Sequence, residues 1–283
     1  MKKIYTMIAA FMVAGVAFAQ KDTTKVATDT LRNTSDTLKV GNFIIIKNKN
    51  KGNGTTNDVA VQRKPYKPTK LSTNWFIFDL GFANVNDQTN YASANAKDYL
   101  KTVRPQDQPI TKDDLRLKAS KSSNVNIWFV MQKLNLSKGY VNLKYGVGLE
   151  MFNLRYESNI NYSNNPTYIF RDSLAFSKNK LYAGYLTVPF MVNVNTTPGK
   201  KGLSFSAGIS AGYLIGSHDK QISGERGKDK THGSLGLEQF RLAYIGELGL
   251  GPIRLFGSYS ITKLHEKGLE QYPYSFGIRF SNW

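Results

Sequence analysis

The chain has 283 residues, no cysteine and a formal net charge of +18 at pH 7. That length suits one large domain or two small ones, and the lack of cysteine excludes a disulfide framework and a lipidated cysteine anchor. So basic a balance often points to nucleic acid, but the first residues direct the chain out of the cytoplasm and toward other polyanions.

Those residues, MKKIYTMIAAFMVAGVAFAQ, carry Lys2 and Lys3, an apolar run from Ile4 to Val16, and Ala17-Phe-Ala19 before Gln20. This is the pattern of a secretory signal peptide over 1–19 with an A-x-A cleavage site. The run is too short for a spanning helix, which needs ~20 apolar residues. Without Lys2 and Lys3 the net charge is +16. The polyanions open to an exported chain are lipid headgroups, lipopolysaccharide phosphates and acidic partners, with no role for nucleic acid.

Residues 20–70 hold eleven Lys/Arg and four Asp, hence +7 of that charge, and end in Lys64-Pro-Tyr-Lys-Pro68. So polar a stretch buries too little apolar surface to order itself, and it is expected to be a flexible tether. Asp22, Asp29 and Asp36 open a seven-residue repeat in which only Leu31 and Leu38 are apolar, too little for a coiled coil. The stretch 40–46 (VGNFIII) has strand propensity, either to pair with a partner or to rest against its own fold.

From Trp75 onward eight segments have strand character: 75–85, 122–134, 140–156, 180–195, 202–217, 238–248, 252–262 and 272–282. Each is long enough to cross a bilayer as a tilted strand of ~9–11 residues. The connections alternate long and short, and the short ones carry turn residues, as in Leu136-Ser-Lys-Gly139, Thr197-Pro-Gly-Lys200 and Gly249-Leu-Gly-Pro252. Outer-membrane barrels sort their loops in this way.

The two faces agree. One parity is apolar, as in Phe76, Phe78, Leu80 and Phe82, or Val141, Leu143, Tyr145, Val147, Leu149 and Met151. The other is small or charged, and in a lipid-embedded barrel it faces inward. The segment 202–218 also spaces Ser204, Gly208, Gly212 and Gly216 four apart, as packed membrane helices do. With fifteen uncharged residues it is too short and too rich in glycine and serine for such a helix. It fits a strand whose small residues face a crowded lumen. Pro189, in mid-strand, is expected to need a bulge.

The fold expected is therefore all-β: an eight-stranded antiparallel up-and-down transmembrane barrel over 71–283, preceded by a polar extension. Eight strands leave an interior that side chains fill. Asp79, Glu150 and Glu247 are expected to pair across it with Lys144, Arg241, Arg254 and Arg279, as a structural network rather than an ion path.

The strand KLYAGYLTVPFMV with its Leu186-Thr-Val-Pro-Phe190 core, the stretch AGISAGYLIGSHDK and the closing YPYSFGIRF resemble the PorT-like outer-membrane β-barrel family of Bacteroidota. The resemblance covers about residues 71–283, and the polar 20–70 is similar to N-terminal extensions of some members. It implies outer-membrane location and an eight-stranded barrel. One branch of the family takes part in protein secretion and gliding. No catalytic residue carries over.

Ser217-His218 and His265-Glu266 are the one set from which a nucleophile and base could be drawn, and His232 is the remaining histidine. No metal-ligand spacing or phosphate loop is present, and no cofactor is expected. The function expected is non-enzymatic: an accessory subunit of an outer-membrane secretion, assembly or uptake complex. Its termini are expected in the periplasm, with a protein partner held through residues 20–70. A surface lipid-modifying hydrolase and a small porin are the alternatives.

Overall fold

The structure, a computed structural model, describes residues 35–40, 43–48, 58–63, 68–199 and 202–281. The expected signal peptide, 1–19, lies outside the described residues. The chain divides into two compact units, 1–65 and 66–283.

The first unit holds β1 (Ser35–Val40), β2 (Phe43–Asn48) and β3 (Asp58–Arg63), paired antiparallel in the order β1-β2-β3. All three lie within the stretch 20–70, expected as a flexible tether with a possible short strand at 40–46. Val40 closes β1 and Phe43 opens β2, with Val40 opposite Phe43 and Leu38 opposite Ile45. Val, Ile, Leu and Thr favour a pleated ladder, and a two-residue connection sets its register.

The second unit begins with β4 (Leu71–Asp87). The first long connection carries the helix α1 (Ala94–Tyr99) and the short β5 (Leu100–Lys101). A hairpin follows, β6 (Ser123–Ser137) and β7 (Val141–Arg155). Its turn is tight because Lys138 and Gly139 both adopt positive φ, 45° and 83°. Next come β8 (Ile160–Asn164) and β9 (Thr167–Arg171), then the longest strands, β10 (Phe176–Asn195) and β11 (Leu203–Ser223). The chain closes with β12 (Gly227–His232), β13 (Phe240–Leu250), β14 (Ile253–Ser260) and β15 (Gln271–Phe280).

Eight of these strands form a ring, β4-β6-β7-β10-β11-β13-β14-β15, antiparallel throughout, and β15 returns to β4. Each of the eight expected segments supplies one member. The outward parity is exposed and apolar along the wall, as in Phe78, Leu80 and Phe82 on β4, Val188, Phe190 and Val192 on β10, and Phe276, Ile278 and Phe280 on β15. No helix among the described residues is long and apolar enough to cross a membrane.

Alternation is interrupted where the pairing shifts. The register between β10 and β11 slips at Gly184/Tyr185, so that Ile215 has no opposite residue. Above it the inward residues of β11 change from Ser206 and Ser210 to Ser217, Asp219 and Gln221. A second irregularity falls between Trp128 and Val130. Pro189 needs no bulge, contrary to expectation. The register runs unchanged from Leu186 opposite Leu149 to Phe190 opposite Tyr145, and only residues 188 and 189 lack a ladder partner on β7.

The outer connections, expected as loops, are folded. The strands β5, β9 and β8 form a small sheet, and β12 extends the wall beside β11. An apolar core joins them to the upper lumen: Tyr99, Leu115, Leu117, Ile160, Tyr162, Ile169, Leu235, Leu237, Leu264 and Leu269 pack with Phe152, Leu154, Leu181 and Tyr185. The inward parity is thus charged in the lower part of the barrel. In its upper part Phe152, Leu154, Leu181, Ala183 and Tyr185 turn an apolar surface to the cap, beside the polar Ser217, Asp219 and Gln221 of β11.

Small residues make the lower interior possible. A Cβ on Gly148 would come within 2.8 Å of the Trp128 ring and 2.7 Å of its Cα, whereas one on Gly224 would meet open space. Gly148→Ala is therefore expected to destabilise the barrel by about 1–3 kcal/mol through overpacking, read as a lower urea midpoint in lipid vesicles. Gly224→Ala is expected to leave the midpoint unchanged.

Candidate functional site

Inward alternation on β4 and β15 places Asp79 directly opposite Arg279. The guanidinium grips the carboxylate with two bonds, Nε to Oδ1 and Nη2 to Oδ2, both 2.7 Å. Trp128 Nε1 and Asn126 Nδ2 donate to the same carboxylate at 2.7 and 3.2 Å. Arg279 also lies over the Trp128 ring, 5.4 Å from its centroid. A fully buried carboxylate needs that number of donors, since an ion taken out of water is stable only when its lone pairs are all engaged.

Glu247, from β13, is the hub of the lower lumen. Lys144 Nζ donates to it at 2.6 Å, Arg279 Nη1 at 2.8 Å and Arg254 Nη1 at 3.2 Å. The Lys144 bond crosses the lumen from β7. One tier higher, Arg241 of β13 reaches Glu150 of β7 at 2.9 Å and is steadied by Ser260 Oγ at 2.7 Å. Its guanidinium lies 4.8 Å from the centroid of Phe152, where the cap core begins.

All seven lumen charges singled out in the sequence are brought into these two groups: Asp79, Lys144, Glu247, Arg254 and Arg279 below, Glu150 and Arg241 above. Sequence reasoning missed the neutral partners of these charges, the donors Trp128 and Asn126 and the acceptors Ser258 and Ser260. The signal for Trp128 was present, since it shares the inward parity of β6 with Asn124 and Asn126.

The histidines separate. Ser217 is buried and donates to Gly233 O at 2.5 Å. His218, the next residue along the strand, points to the other face and stacks on Tyr182 at 4.7 Å. His232 lies opposite His218, with ring centroids 5.3 Å apart. His265 is buried in the cap, stacked on Tyr162 and within 3.1 Å of its hydroxyl. Ser217, His218 and His265 therefore do not converge as a nucleophile and base. Among the described residues no three His, Cys, Asp or Glu are grouped to hold a metal.

Burial holds the His265 imidazole neutral, its pKa pushed down to about 3 from 6.5. Its Nδ1 has no hydrogen-bond partner among the described residues. A folded-state pKa below the unfolded value means that the unfolded chain takes up the proton first. The stabilising contribution is thus complete above about pH 6.5 and is lost as pH falls toward 3. Subtracting the acid dependence of the urea midpoint of His265→Gln from that of the wild type is expected to leave a decline across that window. In the lumen, Arg279→Met is expected to cost about 3–5 kcal/mol in unfolding free energy, because it strands a buried carboxylate. Adding Asp79→Asn is expected to recover part of the loss.

The outer membrane protein beta-barrel domain family matches residues 81–264. Among solved structures, Ail, the attachment invasion locus protein of Yersinia pestis, is 12% identical, with a TM-score of 0.31, covering 74% of this chain and 98% of that one. No curated protein sequence matches. The family spans well over half of the chain and takes in most of the closed ring with its paired lumen. The chain belongs to the outer membrane protein beta-barrel domain family, and its ring is an outer-membrane barrel.

Proposed function

We propose that the protein is a non-enzymatic, closed barrel that serves as an anchor or accessory subunit of an outer-membrane complex for secretion, assembly or uptake. The observation that carries this reading is the lumen itself. At the level of Glu247 five charged side chains are bonded to one another across it, and above them the cap core fills the mouth. Charges spent on each other in this way favour a structural plug over an ion path.

Outer-membrane barrels turn their short connections to the periplasm. This reading therefore puts the 138–140 turn and the start of β4 on the periplasmic side, with residues 20–70 available there to a protein partner. Export by the 1–19 signal peptide is part of the same reading. The Leu186–Phe190 and Tyr272–Phe280 motifs support the PorT-like group of Bacteroidota within the family, whose secretion and gliding branch fits an accessory role.

Two measurements test the proposal. Planar-bilayer recordings of the full chain are expected to be silent, and a steady unitary conductance would contradict a closed lumen. Purification from the native membrane is expected to bring down partner proteins with the full chain and lose them on deletion of residues 20–70. Recovery of the same set from both would refute the partner role of that segment.

A further inference from the structure

The upper ends of β7, β10, β11 and β12 share an outward face, and their register lines up cations on it. Arg155 is opposite Lys180, Lys180 opposite Lys220, and Lys220 opposite Lys230. One step further out, Lys178 and Lys228 flank Ile222 in the same manner. Like charges directly opposite one another destabilise a sheet. Among the described residues none of these six is in a salt bridge with a carboxylate: Asp219 points inward, and Asp229 sits opposite Gln221 and beside Arg226. Lys180 is held by a neutral acceptor, Asn153 Oδ1, at 2.7 Å, and the buried Arg155 Nε has no partner.

The row has a defined height. Below it, the outward face of β10 and β11 is apolar, from Val194 and Phe205 up to Leu186 and Tyr213. An aromatic row then crosses the same strands, with Tyr182 stacked on His218 and His218 beside His232. Rings of this kind mark the edge of the hydrocarbon. The four cations follow two residues later, about 7 Å further along the strand, where lipid phosphates lie.

We propose that this face binds the phosphate-bearing headgroup of a glycolipid of the surrounding outer leaflet, of the lipid A type. Arg155, Lys180, Lys220 and Lys230 meet the phosphates, and the Tyr182–His218–His232 row lies against the lipid just below. An anion there relieves the cross-strand repulsion, and the preceding apolar band fixes which part of the lipid can reach it. The proposal rests on the membrane placement of the barrel and not on the accessory role.

The test uses the full chain, folded in detergent and titrated with bisphosphorylated lipid A, with lipid A lacking its phosphates, and with inorganic phosphate. One variant combines Arg155→Gln, Lys180→Gln, Lys220→Gln and Lys230→Gln. The other removes four exposed charges elsewhere, by Lys97→Gln, Lys112→Gln, Lys121→Gln and Lys267→Gln. Retention of bisphosphorylated lipid A through gel filtration is expected to weaken at least tenfold in the first variant and to stay unchanged in the second. The urea midpoint gives an independent readout. Without lipid A, the first variant is expected to be at least as stable as the wild type, and lipid A is expected to raise the midpoint of the wild type alone. Equal retention by the wild type and the first variant would overturn the proposal, as would equal weakening in both variants. Equal binding of dephosphorylated lipid A would overturn the phosphate contact. Displacement of lipid A by inorganic phosphate at matched concentration would overturn the lipid as ligand.

Discussion

A ring of eight strands encloses a space only about a side chain deep on each wall, and a charged group that faces it is stable only with a partner there. Asp79 meets this condition with four donated bonds, and Glu247 with three cations from three different strands. The glycines at 146 and 148 follow from the same constraint, since Met131 and Trp128 occupy the room that their side chains would take. So do the bulges. The irregularity beyond Trp128 passes over Phe129 and turns Met131 inward, while Trp128 keeps the inward parity of Asn124 and Asn126 and reaches Asp79.

The wall is uneven, and that unevenness separates the two ends of the molecule. The strands β10 and β11 run 20 and 21 residues, against 8 and 10 for β14 and β15. A transmembrane strand needs only ~9–11, so the tall side rises beyond the bilayer. Its inner face supplies Leu181, Ala183 and Tyr185 to the cap core, and its outer face carries the cation row. One extension of sequence thus closes the lumen on one side and presents charge to the leaflet on the other. The cap is held chiefly by apolar contact, with His265, its tyrosines and the buried Asp219–Gln221 pair among the polar groups inside it, whereas the lower lumen is held by charge.

The ring was legible because its signals are local. Alternation of period two, turn residues at the short connections and sorted loop lengths located all eight strands. The same parity pointed Asp79, Glu150 and Glu247 toward Lys144, Arg241, Arg254 and Arg279. Which acid meets which base was not legible, because that depends on strand order around the ring and on stagger. The cap was hidden for a different reason. Leu115, Leu117, Ile160, Ile169, Leu235, Leu237, Leu264 and Leu269 stand singly or in pairs among polar residues, and only the closed ring brings them together. The strands β1, β2 and β3 were hidden by the charge of the stretch that holds them, since lysines between strand formers gave a composition typical of disorder. The bulge expected at Pro189 lies elsewhere, at Ile215, since a missing donor leaves a gap in one ladder without shifting the register.

The lumen charges bind the barrel together across its interior. The pair Glu150–Arg241 isolates this effect, because the two residues sit on β7 and β13, strands that do not touch in the sheet. A double-mutant cycle with Glu150→Gln and Arg241→Met, read by urea unfolding in lipid vesicles, measures their coupling directly. A favourable coupling of about 1–3 kcal/mol is expected. Losses that add within about 0.3 kcal/mol would show that the two charges stand side by side without holding the walls together.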